Sequence, residues 1–277
     1  MISVVIPTCR RPDLLARCLD RLAPGVQSRP AGQYEVIVTD DGVPTVEAFL
    51  AEKYPWAKWV EGPRRGPAAN RNNGVRHAQG EWIAFTDDDC IPSEQWLAAF
   101  VDGIREGCQV YEGKTTCEAG IHSPLDHAPV NLTGGYLWSC NMLISRGLFV
   151  AVKGFDEEFP SPHMEDVDFR ERLLASGHRF DFLSDAIVDH PPRRLPSGWQ
   201  LGKSHTSWYY HWNLRKKKGW ATPRLVAAIM RTRLRAIWLH RIGIDSFGAF
   251  VSLVMELVSL ASTIASGRKN RTQSHTK

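Results

Sequence analysis

The chain has 277 residues, 43% hydrophobic and 23% charged, which excludes a disordered polymer and leaves room for one large or two small globular domains. Its net charge of +4 conceals a division, because residues 199–277 hold 14 Lys or Arg against two acids while residues 1–198 hold 20 against 28. A body at −8 and a tail at +12 exclude a uniform surface and turn the tail towards something anionic, a membrane or a nucleic acid.

In chain order, the β-branched run Ile2–Ile6, ending at Pro7-Thr8, predicts a strand. Pro12–Leu22 carries Leu14, Leu15, Cys18, Leu19 and Leu22 at helical spacing. Tyr34–Thr39 predicts a second buried strand that stops at Asp40-Asp41-Gly42. A helix over Val46–Tyr54, a strand over Trp56–Val60, a helix over Ala68–Ala78 and a strand over Trp82–Phe85 follow. Strand and helix in alternation predict the α/β class, an open and mostly parallel sheet with helices on its faces. Ligands then belong at the C-terminal ends of the strands. Three of these ends carry polar chemistry: Pro7-Thr8-Cys9-Arg10, Asp40-Asp41-Gly42, and Thr86 to Asp89. The first turn lacks Gly-x-Gly-x-x-Gly and the chain has no Gly-x-x-x-x-Gly-Lys-Ser/Thr, which argues against dinucleotide oxidoreductases and P-loop NTPases.

The stretch Trp82 to Pro92 is the most informative. A short apolar run stops at Asp87-Asp88-Asp89, and Pro92 prevents its continuation as a central strand. Read as extended backbone, Asp87 and Asp89 face one way and Asp88 the other. Two aligned carboxylates form a hard-cation site, suited to Mg2+ or Mn2+ beside a phosphate.

The second half is less regular. A helix is expected over Glu94–Glu106, a strand over Gln109–Lys114, and a long loop over Cys117–Gly135 that reads as an acceptor-side wall. His122 and His127 in that loop read as ordinary polar residues. Ser139–Ser145 returns to strand character. Val167, Phe169, Arg170, Leu173 and Leu174 are helically spaced, which puts Glu165 and Asp166 at a helix N-terminus, where capping is one sufficient role for them. A strand over Asp185–Val188 runs into Asp189-His190-Pro191-Pro192.

These residues resemble the family 2 glycosyltransferases, inverting enzymes of the GT-A fold that use nucleotide-sugar donors. The matching stretches are Val4–Thr8, Val38–Gly42, Gly66–Gly74, the acidic run, Asn141, Gly154–Glu157 and Glu165–Asp168, within residues 2–192. The resemblance implies a GT-A, Rossmann-like mixed and mostly parallel sheet flanked by helices, with a nucleotide-sugar half (1–100) and an acceptor-side half (101–198). A C-terminal helical tail (199–277), read from charge and periodicity, follows. The resemblance also implies that Pro7, Thr8, Arg10, Asp41, Arg71, Asp87, Asp88, Asp89 and Asn141 meet the donor. Asp89, Asp87 and His190 would hold Mn2+ or Mg2+, and Asp166 would be the general base with Glu165 in support. Asp88, pointing away, would be the most structural of the three acids. The partners implied are a nucleotide sugar, UDP-linked above all, and a hydroxyl-bearing glycan or lipid-linked acceptor in polysaccharide, glycolipid or cell-envelope glycan synthesis. The alternative is a catalytically silent nucleotide- or glycan-binding protein anchored by its basic tail.

The tail lies outside the resemblance. Trp199, Trp208, Tyr209, Tyr210, Trp212 and Trp220 interleave with Arg215-Lys216-Lys217-Lys218, and Arg224–Arg241 predicts a basic amphipathic helix. Phe247–Ala265 is apolar, yet Ser252, Glu256, Ser259, Thr263 and Ser266 recur at spacings of four and three, a polar stripe on one helix face. Such a helix suits the membrane interface or a packing partner better than a lone membrane span. An anionic membrane surface is therefore an expected partner, and nucleic acid is not. The six cysteines show no Cys-x-x-Cys pair, and no basic-then-apolar leader precedes the first strand. Both features predict a cytoplasmic location, to which the tail adds peripheral contact at the inner face of the cell membrane.

Overall fold

A computed structural model describes residues 1–159, 163–215, 221–240 and 244–274. The basic run 216–218, Trp220 and Arg241 lie outside the described residues. The chain divides into two units, one formed by residues 1–118, 129–157 and 165–191, the other by 119–128, 158–164 and 192–277.

The first unit is built on an eight-stranded sheet. Its strands are β1 (Ile2–Thr8), β2 (Tyr34–Asp40), β3 (Lys58–Glu61), β4 (Trp82–Thr86), β5 (Ile91–Pro92), β6 (Val110–Thr116), β8 (Asn141–Ser145) and β9 (Asp181–Asp189). Short β7 (Asp126–His127) belongs to the second unit. The sheet order is β3-β2-β1-β4-β8-β6-β9-β5. The first four strands are mutually parallel, β8 runs antiparallel to β4 and β6, and β9 is parallel to β6. Every residue of β1 is buried, as expected of a strand covered on both faces. The chain winds from β1 outward through β2 and β3, then returns to place β4 on the other side of β1. This reversal opens a crevice at the C-terminal ends of β1 and β4, where open α/β sheets bind ligands.

Helices α1 (Pro12–Leu22), α2 (Glu47–Lys53), α3 (Pro67–Arg76), α4 (Trp96–Asp102), α5 (Arg146–Ala151) and α6 (Glu165–Ala175) complete this unit. Helix α1 forms because Pro12 presets its first turn and Leu15, Cys18, Leu19 and Leu22 line one face, all fully buried. Each such leucine contributes about 2 kcal/mol of apolar burial. Helix α3 lies so close to β1 that a side chain at Gly74 would collide with Val5, which explains a glycine inside a helix at this point. Helix α4 is shorter than the expected Glu94–Glu106. The Tyr111 hydroxyl accepts from the Arg105 amide (2.8 Å) and donates to the Cys108 carbonyl (3.1 Å), so side-chain bonds replace the last helical turn.

The second unit contains β10 (Arg193–Arg194), antiparallel to β7, and helices α7 (Gly198–Ser204), α8 (Thr206–Tyr209), α9 (Ala221–Leu239) and α10 (Ile244–Ser274), with a π-helical turn over Tyr210–Arg215. Leu225 and Ile229 of α9 pack on Leu253 and Leu260 of α10. The polar stripe of α10 packs within the unit, one of the two settings its pattern suits. Ser259 Oγ donates to the Trp199 carbonyl (2.8 Å), while Glu256 takes His205 at 2.6 Å and Arg233 at 3.1 Å. Gly198 and Gly202 of α7 approach the α10 backbone so closely that a Cβ at either would clash with the carbonyls of Ser252 and Glu256. The stripe is a packing face, and several apolar residues of α10 are the exposed ones.

Candidate active site

The sheet register gathers the polar ends. Thr8 ends β1 beside Asp40 at the end of β2, Thr86 ends β4 beside Asn141 at the start of antiparallel β8, and His190 follows the last residue of β9. Residues separated by more than a hundred positions thus reach one edge.

The acidic run is not extended. The Cys90 amide donates to the Asp87 carbonyl (3.1 Å), so residues 87–90 form a turn and the expected alternation of side chains fails. Asp88 is not turned away from Asp89, because both bind Arg11. The Arg11 guanidinium lies 2.6 Å from Asp88 Oδ1 and 3.1 Å from Asp89 Oδ2. Thr8 Oγ1 adds a 2.7 Å hydrogen bond to Asp88. Asp87 instead pairs with Arg71 at 2.6 Å. Burial, resisted by Arg11 and Thr8, pushes the Asp88 carboxyl up to about 7.

Helix α3 is the organiser of the site. Gly66 (φ 89°) turns the chain into Pro67, and the four residues from Asn70 each tie down a different segment. Asn70 donates to the Thr39 carbonyl (2.8 Å), and Asn73 donates to the Glu61 carbonyl (2.8 Å). Asn72 donates to the Phe155 carbonyl (2.8 Å) and accepts from its amide (3.0 Å). Arg71, buried, reaches Asp87 and, at 3.2 Å, Glu165. Burial works against its charge, but Asp87, Asp166 and Glu165 outweigh that cost and raise its pKa. Its terminal nitrogens thus serve protein carboxylates.

At the start of α6, burial pushes Asp166 up to about 7, with Glu165 and Asp87 adding to the rise and Arg71 and a Ser139 hydrogen bond opposing it. A carboxyl raised into this range is suited to exchanging protons near neutral pH. Asp168, two residues on, is a structural acid: it pairs with Arg172 at 2.7 Å, and Arg172 also donates to the Val152 and Gly154 carbonyls.

The remaining residues divide. Pro7 is buried within β1, and Arg10 is exposed with φ 58°. Asp41 accepts from the amides of Arg64 (2.7 Å) and Gly66 (3.2 Å), a loop-holding role that leaves lone pairs over. Asn141 is committed to the scaffold, since its carboxamide accepts from Trp96 Nε1 (2.8 Å) and donates to the Lys114 and Ala186 carbonyls (2.9 and 3.0 Å). His190, buried, turns Nε2 towards Asp89 Oδ1 at 3.4 Å. Donor atoms of Asp89, Cys90 and His190 lie within 4.8 Å of one another. The carboxylate suits Mn2+ or Mg2+ and the imidazole is a nitrogen ligand better matched to Mn2+, whereas burial pushes the Cys90 thiol well up and leaves it a poor ligand for either. Among the described contacts, the acids Asp87, Asp88, Asp89 and Glu165 meet the guanidinium groups of Arg11 and Arg71, with Asp166 close by, a strongly anionic cluster. Arg11 is the site residue that sequence reasoning missed; its only signal was a second arginine beside Arg10 at the end of β1.

Residues 3–117 match the family model described as glycosyl transferase family 2. Glycosyltransferase AglE of Haloferax volcanii is 27% identical over 206 residues, 69% of this chain and 67% of its own. The chain spans 16–52% of the length of several further curated relatives it matches. Staphylococcus aureus TarS 1–349 in complex with UDP-GlcNAc superimposes with a TM-score of 0.56 at 19% identity, over 97% of this chain and 92% of that one. The mannosyltransferase PcManGT of Pyrobaculum calidifontis, in complex with GDP-Man and Mn2+, gives 0.56 at 19% identity, over 97% and 79%. These structural likenesses establish the fold, including its mixed sheet and C-terminal helices.

Proposed function

Because the chain is a family 2 glycosyltransferase, we propose that it moves a sugar from a nucleoside-diphosphate sugar, UDP-linked, to a hydroxyl of a glycan or lipid-linked acceptor in cell-envelope glycan synthesis. The observation that carries the reading is the run of charged contacts from His190 through Asp89, Arg11 and Asp88 to Asp87, Arg71, Glu165 and Asp166 at one sheet edge. TarS, crystallised with UDP-GlcNAc, and its description as a poly(ribitol-phosphate) β-N-acetylglucosaminyltransferase support the donor and the polymeric acceptor.

In this reading Asp166 takes the proton from the acceptor hydroxyl, which attacks the anomeric carbon as the diphosphate departs; one displacement inverts that centre. Glu165 and Asp87 hold the Arg71 charge beside the base, and Asp41 and Thr8 flank the nucleoside. Asp89 and His190 would hold a divalent cation, with Asp87 nearby. When bound, that cation supplies charge neutralisation to the diphosphate. Arg11 would stay with Asp88, which it also holds, while Asp89 served the cation.

The test is calorimetric titration with UDP- and GDP-sugars, with and without Mn2+, alongside transfer assays on poly(ribitol phosphate) and lipid-linked glycans. UDP-sugar binding that strengthens with Mn2+, and transfer to one of these acceptors, is the expected result. Binding restricted to GDP-sugars would overturn the donor, and equal turnover in excess chelator would overturn the metal.

A further inference from the structure

One surface of the second unit has no part in the transfer chemistry. Phe247, Phe250, Val254 and Val258 of α10 recur at helical spacing and are 48–73% exposed, while Glu256 and Ser259 are turned inward. Helix α9, packed on α10 through Leu225 and Ile229, presents exposed Met230 and Leu234 as a second apolar line. One position further along each turn stand exposed Arg231 and Arg235. The amphipathy is inverted for a water-soluble helix, because the polar groups are satisfied inside the unit and the large apolar groups are outside it.

We infer that this face seats on an anionic lipid surface. Its apolar lines enter the headgroup boundary while Arg231 and Arg235 meet lipid phosphates. Charge complementarity selects this occupant. Residues 199–277 contain only two acids, and both are neutralised within the unit, Asp245 by Arg194 at 2.9 Å and Glu256 by Arg233 at 3.1 Å. A second copy on the same face would set one +12 stretch against another. Residues 245–263 are long and apolar enough to cross a bilayer by composition. Glu256 in the middle of that stretch, held by His205 and Arg233 of neighbouring helices, favours a helix lying on the membrane.

The test is flotation of the full chain with phosphatidylcholine vesicles, with and without phosphatidylglycerol, at low and high salt. The chain is expected to float with the anionic vesicles and to be partly released by salt. F250E/V254E should lower the apparent affinity about tenfold or more, and R231E/R235E should remove most of the preference for phosphatidylglycerol. Circular dichroism and UDP-sugar binding, unchanged in both variants, confirm that they are folded. The inference is overturned if the full chain ignores anionic vesicles, or if either variant binds them like the parent. It is equally overturned if light scattering shows a dimer broken by F250E/V254E without vesicle binding, or if the chain resists carbonate extraction as a spanning protein does. UDP-sugar binding is read separately, so failure on vesicles leaves the transferase reading standing, and the reverse.

Discussion

Asp166 is half-buried beside Glu165, Arg71 and Asp87, and its loss of solvent pushes the carboxyl up to about 7, which places two expectations on it. The proton-accepting form grows as the pH rises towards 7, so kcat/KM should climb about tenfold per pH unit below that value and level off above it. Asp166→Asn keeps the size of the side chain but cannot take a proton. It should lower kcat by roughly 100-fold or more, erase the acid limb of the profile and leave UDP-sugar affinity within a few-fold. Transfer at the parent rate would reduce Asp166 to a helix cap. At the other end of the cluster, Asp89→Ala should abolish Mn2+-dependent strengthening of donor binding while the thermal midpoint barely changes, read by calorimetry and scanning fluorimetry. Arg11→Met should behave differently, since it leaves buried Asp88 without its cation. The expected loss is about 1–2 kcal/mol, discounted from the buried-pair range because the Arg11 side chain is 40% exposed, and denaturant unfolding measures it.

Among the elements, β6 and the segment following Asn131 depend on one buried carboxylate. Glu112 accepts from Asn131 Nδ2 (3.0 Å) and from the amides of Tyr136 (3.1 Å), Leu137 (2.7 Å) and Gly135. These bonds fix the approach to Ser139, which hydrogen-bonds Asp166. Glu112→Ala strands several buried donors and should cost roughly 3 kcal/mol or more, with a fall in kcat larger than any change in donor affinity. A variant with normal stability would show that water replaces the carboxylate. In the second unit, Gly202 faces the α10 backbone without room for a Cβ. Gly202→Val should therefore raise amide exchange in α7 and α10 together, whereas exchange confined to α7 would mean that the two helices do not depend on each other.

For the whole molecule, the C-terminal helices share a unit with residues 119–128 and 158–164. Asp245 of α10 accepts from Ser123 at 2.7 Å and pairs with Arg194, so α10 helps to hold the β7–β10 pair. Removing residues 244–277 should accordingly raise amide exchange over 119–128 and reduce solubility, because Leu201 and Leu225 lose their cover. A truncated chain with unchanged exchange there would show that the pair stands without α10. The alternation of buried runs and amphipathic helices from Ile2 to Thr86 was legible in the sequence, as were the polar strand ends, because burial and register are dictated by local periodicity. Arg71, Asp89, Asp166 and His190 were legible as candidates for one site through the motifs around them. Which carboxylate meets which cation was decided only in three dimensions, since a turn at residues 87–90 replaced the extended backbone that alternation assumes and Arg11 reached in from the end of another strand. The same holds for α10: its spacing marked out a polar stripe, but only the glycine face of α7 turned that stripe inward and left the apolar side exposed. Periodicity determines that a helix has two faces; the partner that satisfies buried polar groups determines which of them meets water.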